Sequence, residues 1–96
     1  MSTLRFLQSK RAEILTLAAK HGASNVRLFG SILRGEDNEN SDVDLLVDMQ
    51  DTRSLFDLIG LQQDLEKILG KKVDVLTENG INRHLRDRIL SEAAPL

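Results

Sequence analysis

Residues 42–47, Asp-Val-Asp-Leu-Leu-Val, restrict the fold more than any other stretch of the chain. So short an apolar, β-branched run predicts a strand, yet two aspartates are embedded in it. Side chains alternate along a strand, so Asp42 and Asp44 share one face while Val43, Leu45 and Val47 turn toward a core. The two α-carbons then stand about 6.5–7 Å apart at roughly 3.3 Å per residue, near enough for both carboxylates to reach one cation. Ten residues separate Asp42 from Gly30-Ser31, which ends another short β run at 26–29.

The rest of the chain alternates helix and strand. Leu4, Leu7, Ile14, Leu15 and Ala18 recur at helical spacing, predicting one helix over 3–21 capped by Ser2 or Thr3 and stopped at Gly22. Residues 31–34 predict a brief helical turn and 35–41 a polar, acidic loop. A second helix is expected over 54–69, with Leu55, Leu58, Ile59, Leu65, Ile68 and Leu69 on its core face and Gly70 as its stop. Ser54 and Asp57 have the spacing of a capping box. Residues 72–76 read as a third strand and 81–90 as a last amphipathic helix. This order predicts an α/β fold, a small mixed β-sheet with helices packed on it. Ninety-six residues are expected to make a single domain over 1–96.

The third strand repeats the design of the second, with Val73 and Val75 on one face and Asp74 on the other. If the two strands are adjacent and in register, Asp42, Asp44 and Asp74 converge. Three like charges beside an apolar core raise one another's pKa and lose hydration. Hard divalent cations resolve that conflict, and an oxygen-only donor set favours Mg²⁺ or Mn²⁺ over zinc. Two such ions can align an attacking hydroxyl with phosphorus and stabilise a leaving pyrophosphate. Asp42 and Asp44 are expected to hold the nucleotide metal, with Asp74 completing a second site and favouring deprotonation of the attacking hydroxyl. Gly30 lets the backbone approach phosphate, and the turn that follows presents N–H groups together with the Ser31 hydroxyl. Arg34 can reach a triphosphate bidentately, or equally bridge to an acidic loop residue as a structural element.

Composition removes several classes of function. With 13 basic and 15 acidic residues the chain lacks the basic excess of a general nucleic-acid binder, so no direct nucleic-acid binding is expected. It has no cysteine, hence neither disulfide framework nor thiolate metal site. Its longest apolar run is far short of a membrane span, and no signal-peptide core stands at the N-terminus. A cytoplasmic protein is the simplest expectation.

Gly30-Ser31, ten residues, then Asp42-Val43-Asp44, with Asp74 in a following strand, resembles the DNA polymerase beta-type nucleotidyltransferase superfamily. The strings Phe29-Gly30-Ser31-Ile32-Leu33-Arg34-Gly35 and Ser41-Asp42-Val43-Asp44-Leu45 are most similar to its minimal nucleotidyltransferase (MNT) members. The likeness covers nearly the whole chain and implies the polymerase beta-like fold. Minimal members are commonly antitoxins paired with a HEPN-domain ribonuclease toxin. The better understood ones transfer AMP from ATP to a tyrosine of that toxin. The resemblance therefore implies ATP as substrate, two Mg²⁺ ions and a hetero-oligomer with the toxin. Ile32-Leu33 depart mildly from the small or polar residues often found there, which bears on packing more than on chemistry. The chain contains no tyrosine, so a tyrosyl acceptor must belong to another protein. No arginine stands about five residues before His21 or His84, as the HEPN nuclease motif needs, so the chain is not itself the toxin.

Plainer readings stand beside these. The aspartates can be charges that protect a sheet edge, Gly30 and Gly35 can serve backbone turns alone, and His21 can complement a helix dipole. His84 with Arg83, Arg86 and Arg88 forms a basic face, either solvated or open to an acidic partner. Two rival functions remain: an antitoxin that neutralises by binding without catalysis, and a transferase acting on a small-molecule acceptor.

Overall fold

The computed structural model describes residues 2–96. Helices α1 (Thr3–Ser9) and α2 (Arg11–Lys20) lead into strand β1 (Ala23–Phe29), followed by the short α3 (Ser31–Arg34) and β2 (Val43–Met49). Helix α4 (Leu55–Leu69) connects to β3 (Val73–Leu76), and a 3₁₀ turn (Glu78–Gly80) leads to α5 (Arg86–Glu92) and β4 (Ala94–Pro95). The sheet order is β3-β2-β1-β4. Strands β2 and β3 run parallel, while β1 is antiparallel to both β2 and β4. The mixed α/β sheet expected from the sequence is therefore present.

Each strand sends alternate residues to opposite faces. Val43, Leu45 and Val47 pack with Val73, Val75, Leu28, Leu7, Ile14, Leu61 and Leu65 in the larger core, beneath α1, α2 and α4. The opposite face carries a smaller cluster of Phe29, Leu46 and Ile81, against which Ile89, Leu90 and Ala93 of α5 lie. Ile32 is buried in the larger core, which gives the Ile-Leu pair after Ser31 its packing role.

Four expectations need correction. The helix over 3–21 is two helices. The Ser9 hydroxyl donates to the Phe6 carbonyl at 2.6 Å, and such a bond competes with the helical ladder. Lys10 leaves helical geometry (φ −99°, ψ 7°), ending α1 and starting α2. The strand expected over 26–29 begins at Ala23, because Asn25 takes a positive φ of 50° and the ladder slips between Ser24 and Arg27. The last helix starts at Arg86 rather than 81. The Asn82 side chain accepts from the His84 N–H at 2.9 Å and its carbonyl from Leu85, holding 82–85 as a turn. Arg83 and His84 therefore lie outside α5. Finally, α4 buries Leu61, Leu65 and Leu69, while Leu55, Phe56 and Ile59 of its first turns are exposed.

The start of α4 is otherwise as the sequence implies. The Ser54 hydroxyl accepts from the Phe56 N–H at 3.2 Å, and Asp57 accepts from the Ser54 N–H at 3.1 Å, a reciprocal box. Gly70 ends the helix in the left-handed region. His21 caps α2 but finds a specific partner as well, Nε2 lying 2.7 Å from Asp64 Oδ2 on α4.

Candidate active site

Strand register decides which functional side chains meet. Asp44 of the central strand β2 stands opposite Phe29 of β1 on one side and Asp74 of β3 on the other. Asp44 and Asp74 are thus nearest neighbours across a parallel pair, at the usual strand spacing of about 4.8 Å. Asp42 sits one residue before β2, where Val43 N–H donates to the Lys72 carbonyl at 2.9 Å. All three carboxylates expected to act together lie at one end of the β2–β3 pair.

Gly30 follows Phe29 and so falls directly beside Asp44. Its backbone has φ 86° and ψ −161°, a region open essentially to glycine alone. A Cβ built on it would collide with Asp44 Oδ2. Glycine is thus required by the backbone conformation and by the neighbouring carboxylate. Ser31 opens α3 with its side chain half-buried, and Gly35 closes it in the left-handed region with nothing near a Cβ.

Charge is concentrated on this face. Burial, then the neighbouring Asp74 and Asp42, push the Asp44 carboxyl up to about 6, against a smaller opposing pull from Arg34. Lys72 lies 3.9 Å from Asp42 and offsets part of its charge, though its own side chain is mostly exposed. Arg34 donates from Nε to Glu36 at 3.0 Å and from Nη1 to Glu92 at 2.5 Å. Those two hydrogen bonds, Glu92 first, hold its guanidinium above the ordinary arginine value. Of the two roles open to Arg34 in the sequence, bridging to an acidic residue is the one present in this structure. Glu92 was not visible from the sequence as a site residue. It lies 58 positions away, no motif marks it, and only the packing of α5 brings it to Arg34.

Among the described residues, no three Asp, Glu, His or Cys side chains close into a ready-made metal cage. The donor set nevertheless fits a hard divalent cation. It consists of carboxylate oxygens alone, and the raised Asp44 pKa reflects burial first and then the nearby Asp74 and Asp42 charges, both of which a bound cation would offset. Mg²⁺ or Mn²⁺ matches these ligands better than zinc. The carboxylates stand on an open face. A cavity of about 270 Å³ lined by Val47, Asp48, Met49, Thr77, Glu78 and Asn79 lies toward the other end of β2 and shares none of them. Among the described residues no helix is long and apolar enough to cross a membrane.

Comparison with known proteins agrees with this geometry. The model of the nucleotidyltransferase domain family matches residues 12–96. A relative from Methanocaldococcus jannaschii, provisionally named a protein adenylyltransferase, is 47% identical over 83 residues, or 86% of this chain and 89% of its own. A solved structure, provisionally described as a minimal nucleotidyltransferase, superposes with a TM-score of 0.87 at 45% identity, covering 100% of this chain and 97% of that one. A second solved structure is the complex of a tri-AMPylated Shewanella oneidensis HEPN toxin with an MNT antitoxin. It matches with a TM-score of 0.69 at 21% identity, over 92% of this chain and 69% of that one, and shows shared fold alone.

Proposed function

The chain belongs to the nucleotidyltransferase domain family, and within it we propose a protein adenylyltransferase that moves AMP from ATP to a tyrosine of a HEPN ribonuclease toxin, as that toxin's antitoxin. The observation that carries this reading is the register that sets Phe29, Asp44 and Asp74 side by side, with Gly30, the residue after Phe29, against the Asp44 carboxylate. The adenylyltransferase name of the Methanocaldococcus relative supports protein AMP transfer. The AMPylated HEPN toxin held by an MNT antitoxin supports the partner and a hetero-oligomer with it. Residues 1–96 act together as one minimal nucleotidyltransferase domain.

In this reading Asp42 and Asp44 would hold a divalent metal ion for the nucleotide, and Asp74 would complete a second site. Mg²⁺ held there would neutralise phosphate charge and lower the pKa of the acceptor hydroxyl. The residues themselves supply position. Gly30 leaves the backbone bare where the phosphates approach, and the Ser31 hydroxyl donates to a phosphate oxygen. The tyrosyl oxygen attacks the α-phosphorus in line, the bond from that phosphorus to the bridging oxygen breaks, and pyrophosphate leaves. Asp74, beside the attacking oxygen, favours loss of its proton. The acceptor is in trans, because this chain has no tyrosine.

The test is intact mass of the cognate toxin after incubation with this protein, ATP and Mg²⁺, beside an Asp42→Asn, Asp44→Asn double variant. A gain of one or more AMP units with wild type alone is expected. No gain, with the toxin still silenced and the two proteins co-eluting, would make stoichiometric binding the mechanism. Transfer of AMP to a small hydroxyl compound in the absence of any protein partner would instead favour a small-molecule acceptor.

A further inference from the structure

Two functions compete for one guanidinium at the edge of the site. Arg34 is the last residue of α3, the turn that Gly30 and Ser31 open, and its Nε and Nη1 donors both end on carboxylates. One of these, Glu36, is 65% exposed and only two residues away. The other, Glu92, is 18% exposed and is the final residue of α5. Arginine presents its donors as a planar fork, which suits carboxylate and phosphate oxygens alike. Arg34 closes the turn that Gly30 caps, and Gly30 lies against Asp44, so Arg34 and the Glu92 bonded to it stand at the edge of the carboxylate cluster. The pair therefore lies within the electrostatic reach of the reacting centre.

Helix α5 reaches this position on a thin base. Ile89, Leu90 and Ala93 are only partly buried, against Phe29, Leu46 and Ile81. Beyond them β4 is a two-residue strand paired to Arg27 and Leu28. The Arg34–Glu92 pair joins this C-terminal segment to the turn beside Gly30. A polyphosphate arriving there brings more negative charge than one carboxylate.

We propose that Glu92 occupies Arg34 in place of nucleotide phosphate, so that ATP binding exchanges the Arg34–Glu92 pair for an Arg34–phosphate pair and releases α5 from the site. The inference rests on the nucleotidyltransferase reading above. It makes Glu92 a positioning residue: with no nucleotide bound it keeps Arg34 in place at the edge of the site. With nucleotide bound, the freed end of α5 changes the surface next to the acceptor.

The experiment measures affinity for the non-hydrolysable analogue AMP-PNP in Mg²⁺, by calorimetry, for wild type, Glu92→Gln, Arg34→Gln and the double variant. Amide exchange of residues 86–96 is followed in parallel. Glu92→Gln is expected to bind AMP-PNP roughly three- to tenfold more tightly, because the competitor is removed. That gain should vanish in the Arg34→Gln background. Simple relief of negative charge near the phosphates would persist there, and would overturn the proposal. Exchange of 86–96 should speed up when wild type binds AMP-PNP, and should already be fast in nucleotide-free Glu92→Gln. Unchanged or weaker binding by Glu92→Gln, with wild type binding normally, refutes the exchange and leaves the transferase reading intact. No binding by any variant refutes both. Should Glu92→Gln fail to fold, Glu92→Asp, one methylene shorter, is expected to give a smaller gain of the same sign.

Discussion

Replacing Gly30 by alanine tests the geometry of the site at its tightest point. Two costs are involved. The backbone at φ 86° and ψ −161° lies where only glycine rests without strain, a penalty of about 1–3 kcal/mol for other residues. The new Cβ would also meet Asp44 Oδ2 and push that carboxyl off its preferred rotamer, about 0.5–1.5 kcal/mol more. Gly30→Ala should therefore destabilise the metal-free protein by about 1.5–4.5 kcal/mol. In a domain of this size roughly 4–8 °C of Tm is lost per kcal/mol, so a fall of at least ~6 °C is expected by calorimetry. The two costs separate in a double-mutant cycle, since in an Asp44→Ala background the collision is gone and only backbone strain remains. A Tm within ~2 °C of wild type would refute the strain argument. An equal loss in both backgrounds would refute the contact with Asp44.

Three further outcomes follow from the same structure. Folding raises the Asp44 pKa from 3.8 to about 6, so between those values the folded state holds the extra proton. Metal-free stability from this group accordingly falls as pH rises from about 4 to about 7, by roughly 1 kcal/mol once partial exposure is allowed for. Urea midpoints in EDTA at pH 4.5 and 7.5, wild type against Asp44→Asn, should show the variant losing that dependence; a wild-type gain with pH relative to the variant would contradict it. Mg²⁺ should raise the Tm of wild type by relieving the same crowding, and should not do so for Asp42→Asn, Asp44→Asn, as thermal denaturation with and without EDTA will report. On α4, Leu65→Ala should cost about 2–5 kcal/mol and Phe56→Ala, at 83% exposure, less than about 0.5, both read from urea midpoints.

Much of the site can be read from the sequence because its determinants are local. Alternation fixes Asp42 and Asp44 relative to Val43, Leu45 and Val47, and a Ser-x-x-Asp pair at 54–57 announces the start of α4. What the sequence cannot carry is competition between local and distant contacts. Nothing in Ser9-Lys10 marks a helix break, which shows only in the Lys10 backbone and in the added bond from the Ser9 hydroxyl to the Phe6 carbonyl. Leu55, Phe56 and Ile59 have helical spacing, but whether they are covered depends on where α4 meets its neighbours, and the buried row begins at Leu61. His21 looks like a dipole cation from its neighbours and becomes a partner of Asp64 through a contact 43 residues away. Glu92 reaches Arg34 in the same way.

The ten residues between Ser31 and Asp42 illustrate the difference between a motif and its cause. Strands β1 and β2 are antiparallel, and Phe29 pairs with Asp44. Once that pairing is made, Gly30 must lie beside Asp44 whatever the length of the loop that joins them. The spacing is the length of chain needed for α3 and the turn at Asn38–Ser41 to bring β2 back alongside β1. What the chemistry constrains is the register, because a slip of one residue would turn Asp44 into the core and Leu45 toward solvent. The same register that crowds three carboxylates excludes a side chain at position 30. A single requirement, that Asp44 project from the central strand at the mouth of the sheet, thus accounts for the glycine, for the apolar residues that flank the aspartates, and for the raised pKa that a cation would lower.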